Sequence, residues 1–138
     1  MLYLVSCVGQ KRDRPSVAKD LYTSVWFHKA RAFVEGTGSP WYILSAEHGL
    51  LDPDRMVEPY EKTLNAMGVG ERRHWAQRVF SQLELAGVAD SRLSLLAGQR
   101  YREFLLERLR GIGVEVEVPM AGLGIGEQLR WLGEQVRR

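Results

Sequence analysis

The sequence predicts an α/β fold in three layers, a four-stranded parallel sheet flanked by helices on both faces. Three observations predict it. Short apolar runs alternate with longer segments of helical periodicity, in the order β-α-β-α-β-α-β-α. That order is the pattern of a parallel sheet with crossover helices. The early runs are apolar on nearly consecutive positions, as strands buried on both faces are. Polar residues and glycines follow each run directly.

Residues 2–8 form the first run, with Ser6-Cys7 near its end. Residues 9–15 are polar and basic and predict a loop. A helix is expected over 16–35, because Ala18, Leu21, Tyr22, Val25, Ala32 and Phe33 recur at helical spacing. Pro15 or Ser16 can start it and Gly36 can stop it. Residues 36–40 predict a turn and 41–45 the second strand, which ends in Ala46-Glu47-His48-Gly49. Residues 50–70 carry Pro53 and Pro59 and show no clear period, which predicts a long functional or mobile connection. A helix is expected over 71–86, a strand over 92–97, a helix over 101–109 and an alternating edge strand over 114–118. Pro119 and the turn Gly122-Leu123-Gly124-Ile125-Gly126 lead into a last helix, 127–136.

A chain of 138 residues is one domain by length. Its 45% hydrophobic and 26% charged residues are those of a globular chain, not a disordered one. The net charge of +2, from 19 basic and 17 acidic residues, points to no strongly polyanionic partner by itself and leaves room for a local basic patch. One cysteine excludes an internal disulfide and fits a reducing compartment. The N-terminal residues lack a basic stretch before a long apolar run, so no signal peptide is expected. No apolar stretch reaches the roughly 20 residues that span a bilayer. A cytoplasmic protein with no membrane partner is the expectation.

In parallel sheets ligands bind at the carboxyl ends of strands, near the point where strand order reverses. This rule gathers Ser6, Cys7 and Lys11, then Ser45, Glu47 and His48, then Gly98 and Tyr101, and finally the Gly122–Gly126 turn, at one edge. Cys7 and Lys11 form a C-x3-K spacing. A thiolate stabilised by Lys11, Arg12 and Arg14 would be a nucleophile, and so would a desolvated Lys11. The bland alternative is a small buried thiol beside a solvated lysine. His48 fits a general acid or base with Glu47 orienting it, or a hydrogen-bonded strand end.

Gly122, Gly124 and Gly126 would let backbone N–H groups approach an anion at a helix N-terminus, or simply allow a tight turn. Their position and spacing differ from a dinucleotide fingerprint, so no cofactor is expected. No metal is expected either, because His28 and His74 fall inside helical segments and no H-x-x-x-H or C-x-x-C spacing occurs. Tyr60, after Glu58-Pro59, can stack on a base or pin its loop. Arg72, Arg73 and Arg78 form a solvated helix face or a stripe that tracks phosphates.

These segments together resemble a known family. The residues that carry the resemblance are Ser6, Cys7 and Lys11, then Leu21, Tyr22 and Ser24, then residues 43–51 (ILSAEHGLL) and Pro59-Tyr60. Residues 96–101 (LAGQRY) and 119–129 (PMAGLGIGEQL) complete it. They resemble an uncharacterised bacterial and phage family of the DUF6884 type over nearly the whole chain. Residues 44–60 are also similar to a stretch of the YaaA peroxide-stress family, which is associated with DNA binding. The C-x3-K spacing is similar to that of the archaeosine synthase core domain. There the resemblance implies a lysine that attacks the nitrile of 7-cyano-7-deazaguanine. Arg12 and Asp13 stand where that domain has proline and tyrosine. The resemblance implies a fold of the uracil-DNA-glycosylase type.

Three readings follow. The first is a base-modifying enzyme in which Lys11 or Cys7 attacks an electrophilic carbon and His48 and Glu47 manage protons. Ser6, Tyr22, Ser24, Ser45, Tyr60, Gly98, Tyr101 and the glycine turn then hold the base or a phosphate. The second is a base-releasing N-glycosidase that uses Glu47, Asp52 or Asp54. The third is a non-catalytic DNA-binding stress-response module. A nucleic acid or nucleotide is the expected partner, and the edge strand leaves a homodimer open.

Overall fold

The computed structural model of the chain describes residues 1–7, 9–87 and 92–136. In chain order the elements are β1 (Leu2–Ser6), β2 (Ser16–Val17), α1 (Ala18–Leu21), α2 (Val25–Thr37), β3 (Trp41–Ser45), β4 (Gly49–Leu51) and β5 (Met56–Val57). A 3-10 turn (Leu64–Ala66), α3 (Val69–Leu85), β6 (Leu93–Leu96), α4 (Gln99–Gly111), β7 (Val116–Glu117) and α5 (Ile125–Val136) follow. The expected extension of the first strand to Val8 lies outside the described residues.

The sheet has five strands in the order β4-β3-β1-β6-β7. β1 pairs in parallel with β3 and β6, and β6 with β7. β4 runs antiparallel to β3, with Ser45 opposite Gly49 and Ile43 opposite Leu51. The sheet is therefore mixed, which corrects the expectation of four parallel strands alone. The cause is local. Gly49 takes φ +71°, which an L side chain rarely adopts, and so closes a three-residue hairpin loop back onto β3.

Alternation along the central strands sends side chains into two layers. Leu2 and Leu4 of β1 join Leu44, Leu93 and Leu95 under Trp75, Val79 and Leu83 of α3 and Leu105 and Leu109 of α4. Val5, Ile43 and Leu96 meet Phe27, Ala30 and Val34 of α2 and Leu132 of α5 on the other face. Leu4 and Leu95 are fully buried. Such a leucine stabilises by about 1.5–3 kcal/mol, and truncating one to alanine costs about 2–5 kcal/mol.

The single helix expected over 16–35 is broken. Ser16 and Val17 pair with Val57 and Met56, and α1 makes little more than one turn. Tyr22 then turns extended at ψ 129° and bridges Lys11. Backbone bonds from Arg12 to Leu21 (2.8 Å) and from Thr23 to Gln10 (2.9 Å) hold this pairing. Ser24 starts α2 by accepting the Phe27 N–H at 3.2 Å. Helical periodicity misled here: after the break the core face of α2 is Trp26, Phe27, Ala30 and Val34, whereas Val25 and Ala32 of the expected face are exposed. The connection 50–70 also holds more order than expected, with part of β4, all of β5 and the 3-10 turn.

Candidate functional site

The polar cluster at the carboxyl ends of β1 and β3 centres on Tyr60. β3 delivers Ser45, β1 delivers Cys7, and the extended residue between α1 and α2 delivers Tyr22. Ser45 Oγ donates to the Tyr60 hydroxyl at 2.8 Å and accepts the His48 N–H at 3.0 Å. The Tyr22 and Tyr60 hydroxyls lie 2.7 Å apart. Cys7 Sγ lies 3.3 Å from the Tyr60 hydroxyl and donates to the Leu44 carbonyl at 3.1 Å. That carbonyl also accepts the Cys7 N–H at 3.2 Å.

One arrangement of protons satisfies every group. The thiol gives its proton to Leu44, Tyr60 donates to the sulfur, and the Tyr60 oxygen accepts from Ser45 and Tyr22. In this arrangement Cys7 is a thiol, 6% exposed, rather than an open nucleophile. Burial, then the neighbouring Cys7 sulfur, push the Tyr22 and Tyr60 phenols far above their usual range. Tyr101 is pushed up to about 12, by burial first and the Cys7 sulfur second, with hydrogen bonds to Thr63 and Leu64 pulling the other way.

Lys11 Nζ lies 4.6 Å from the Tyr60 ring centroid and 5.8 Å from that of Tyr22. Cation–π attraction of this kind contributes about 0.5–2 kcal/mol. The half-buried His48 ring meets Tyr60 edge-on, with centroids 5.6 Å apart. Its pKa is lowered by burial first and by Arg55 second, against an opposing pull from Glu47. The shift favours the neutral imidazole.

Tyr101 borders the cluster through the Cys7 sulfur, and the remaining expected site residues fall elsewhere. The Glu47 side chain is exposed, and its carbonyl accepts from Arg78 at 2.8 Å. Ser6 is fully buried in β1, and its hydroxyl has no partner among the described residues. Ser24 serves as the α2 cap. Gly98 is the N-cap of α4, and Tyr101 packs edge-on against Trp75 at 5.6 Å. Gly122 and Gly124 lie in the connection between β7 and α5, and Gly126 lies in the first turn of α5. In that turn the Gly124 N–H already donates to the Glu127 carboxylate at 3.3 Å, where an anion would have to sit.

The three arginines do not form one stripe. Arg72 is buried and bonds to Glu103 (2.7 Å) and the Met67 carbonyl (2.7 Å). Arg73 lies over the Phe104 ring at 4.2 Å. Arg78 reaches the Glu47 carbonyl. Asp54 pairs with Lys19 at 2.7 Å, and Asp52 accepts the Asp54 N–H at 2.8 Å. Trp75, expected on the inward face of the 71–86 helix, is buried there and also supports the site. Its indole N–H donates to the Ser45 carbonyl at 2.8 Å and fixes the strand end from beneath.

Among the described residues, no three His, Cys, Asp or Glu side chains come together as metal ligands would. No helix there is long and apolar enough to cross a membrane.

No solved structure matches the chain. It is similar to the uncharacterised protein YfjM of Bacillus subtilis (strain 168), 30% identical over 130 residues that cover 88% of this chain and 81% of that protein. The sequence profile of a family of unknown function, DUF6884, matches residues 2–134. The cysteine, tyrosine, serine and histidine of the cluster all lie within that match, and the chain belongs to the DUF6884 family.

Proposed function

We propose that this protein modifies a nucleobase, with Lys11 adding to an electrophilic carbon such as the nitrile of a 7-deazaguanine. The observation that carries the reading is the packing of Lys11, neutral His48 and the Cys7 thiol around one tyrosine at the strand ends. Lys11 is partly exposed there, whereas Cys7 is buried with its proton committed. Lysine is therefore preferred as the nucleophile and the thiol as part of the hydrogen-bonded floor.

The step balances simply. His48 takes a proton from the Lys11 ammonium. The amine nitrogen then bonds to the nitrile carbon as one C–N π bond breaks. One amine hydrogen moves to the nitrile nitrogen, which leaves an amidine link and expels nothing. The similarity to the archaeosine synthase core and the YaaA family, and the glycosylase-type fold they imply, belong with this reading. So does a nucleotide or nucleic-acid substrate met in the cytoplasm. A glycosidase needs a carboxylate at the cluster. Glu47 is exposed and Asp54 is paired away, so no observation favours that alternative.

Intact-protein mass spectrometry after incubation with a 7-cyano-7-deazaguanine nucleoside tests the proposal. The expected result is a gain of the whole nucleoside mass, lost in Lys11→Ala and kept in Cys7→Ala. Loss in Cys7→Ala alone would assign the thiol as nucleophile instead. Base release from an oligonucleotide without an adduct would support the glycosidase. Neither adduct nor release would overturn base modification on this substrate and favour a DNA-binding module.

A further inference from the structure

A second feature occupies the other face of the β3 end. A cavity of about 200 Å³ opens between Ala46, Lys62 and the first half of α3. Glu71, His74, Trp75 and Arg78 line it, and their spacing of i, i+3, i+4 and i+7 puts all four on one helix face. Trp75 is buried and held to Ser45, so it forms a fixed apolar wall. One guanidinium nitrogen of Arg78 is tied to the Glu47 carbonyl, which positions the fork and leaves its other donors uncommitted to any acceptor among the described residues.

The charges of this cavity are unmatched. Among the described residues neither Lys62 nor Arg78 lies within 4.0 Å of a carboxylate, although Glu71 lines the same cavity. The neighbouring Arg72 shows the contrast, since it is buried and fully paired. Two cations against one carboxylate leave a positive excess in the cavity, which attracts an anion. A guanidinium fork, an ammonium and an imidazole lining one cavity suit an anion with several oxygens. The glycine turn, by contrast, has its Gly124 N–H taken by Glu127.

We propose that this cavity binds a phosphate group. The phosphate is that of a nucleotide or of a nucleic-acid strand whose base sits at the Tyr60 cluster. Ser45 and Ala46 are adjacent, and Lys62 lies two residues beyond Tyr60, a span of at most about 7 Å along the chain. The Ala46–His48 turn thus carries the tyrosine cluster on one side and the cavity on the other. The placement extends the base-modification reading, but the cavity itself needs no chemistry at Lys11.

The test uses phosphate without a base, so that the two proposals fail separately. Binding of inorganic phosphate and of a short abasic deoxyribose-phosphate strand is followed by His74 ring chemical shifts and tryptophan fluorescence. Both probes are expected to bind, with affinity falling roughly tenfold in Lys62→Ala and again in Arg78→Ala. Both side chains are exposed, so the variants should melt with the wild type. Glu71→Gln should tighten binding, a gain that a merely structural carboxylate would not produce. The salt dependence of strand binding should lose about one unit of slope for each cation removed. Binding of the strand alone would assign the site to a phosphodiester rather than a free phosphate. No binding, or binding indifferent to Lys62, Arg78 and Glu71, would overturn the proposal even if the Lys11 adduct forms.

Discussion

Replacing Tyr60 with phenylalanine removes one oxygen and should disturb three neighbours. Ser45 Oγ, Tyr22 and Cys7 all hydrogen-bond to that oxygen, and Tyr22 and Ser45 are fully buried. The Cys7 thiol keeps its bond to Leu44, so two buried hydroxyls are orphaned. Each orphan costs about 1–3 kcal/mol. Ser45 still accepts from His48, which places the expected loss in the lower range, about 2–4 kcal/mol. Melting should fall by about 6–12 °C, at roughly 3 °C per kcal/mol for a domain of this length. Urea unfolding of Tyr60→Phe, Tyr22→Phe and the double variant measures it. Removing both hydroxyls also removes one orphan, so the double variant should be about 1–2 kcal/mol better than the sum of the singles. A loss below about 0.5 kcal/mol for Tyr60→Phe, with singles that simply add, would refute the hydrogen-bond accounting.

Three further outcomes are expected. Gly49→Ala should destabilise by about 1–3 kcal/mol in urea unfolding, because Gly49 has φ +71° and an added Cβ would collide with the Gln82 side chain. Glu103→Ala strands the buried Arg72 guanidinium and should cost about 2–4 kcal/mol, read from the same midpoints, whereas a surface pair would cost under about 1 kcal/mol. Two pH effects have definite signs. His48 titrates below 6.5 when folded, so its contribution is complete above 6.5 and is lost as pH falls through the folded value. Histidine-to-glutamine substitution at position 48 should flatten that acid-side slope in stability measured against pH. Tyr22, Tyr60 and Tyr101 are raised, so phenolate absorbance of the native protein should lag behind that of the unfolded chain on alkaline titration. Stability should fall as pH rises through 10.

Much of the frame was legible in residue pattern. The apolar runs at 41–45 and 92–97 read as strands and are strands over Trp41–Ser45 and Leu93–Leu96, while the helix expected from Tyr101 starts at Gln99 with Gly98 as its cap. Cys7 and Ser45 were legible as strand-end polar residues that the ligand rule for parallel sheets brings to one edge, whereas Tyr60 was legible only as a loop aromatic. The hairpin at Gly49 had a signal, a glycine between two apolar runs, that was read as a strand end. The cavity on α3 also had one, since Glu71, His74, Trp75 and Arg78 recur at helical spacing. Grouping the arginines by sequence proximity hid it, because Arg72, Arg73 and Arg78 point to three different environments.

The sequence by itself determined the alternating α/β architecture, because burial on one or two faces imposes its own period on each segment. It also determined that polar groups would collect at the carboxyl ends of the strands. Only the tertiary structure decided which of them touch. Tyr60 meets Cys7 and Tyr22 across separations of 53 and 38 residues, and no local pattern encodes that pairing. The same holds for the difference between Arg72 and Arg78. Their intrinsic chemistry is identical, and the packing of α3 against α4 and the β3 hairpin decides which is paired in the core and which faces a cavity.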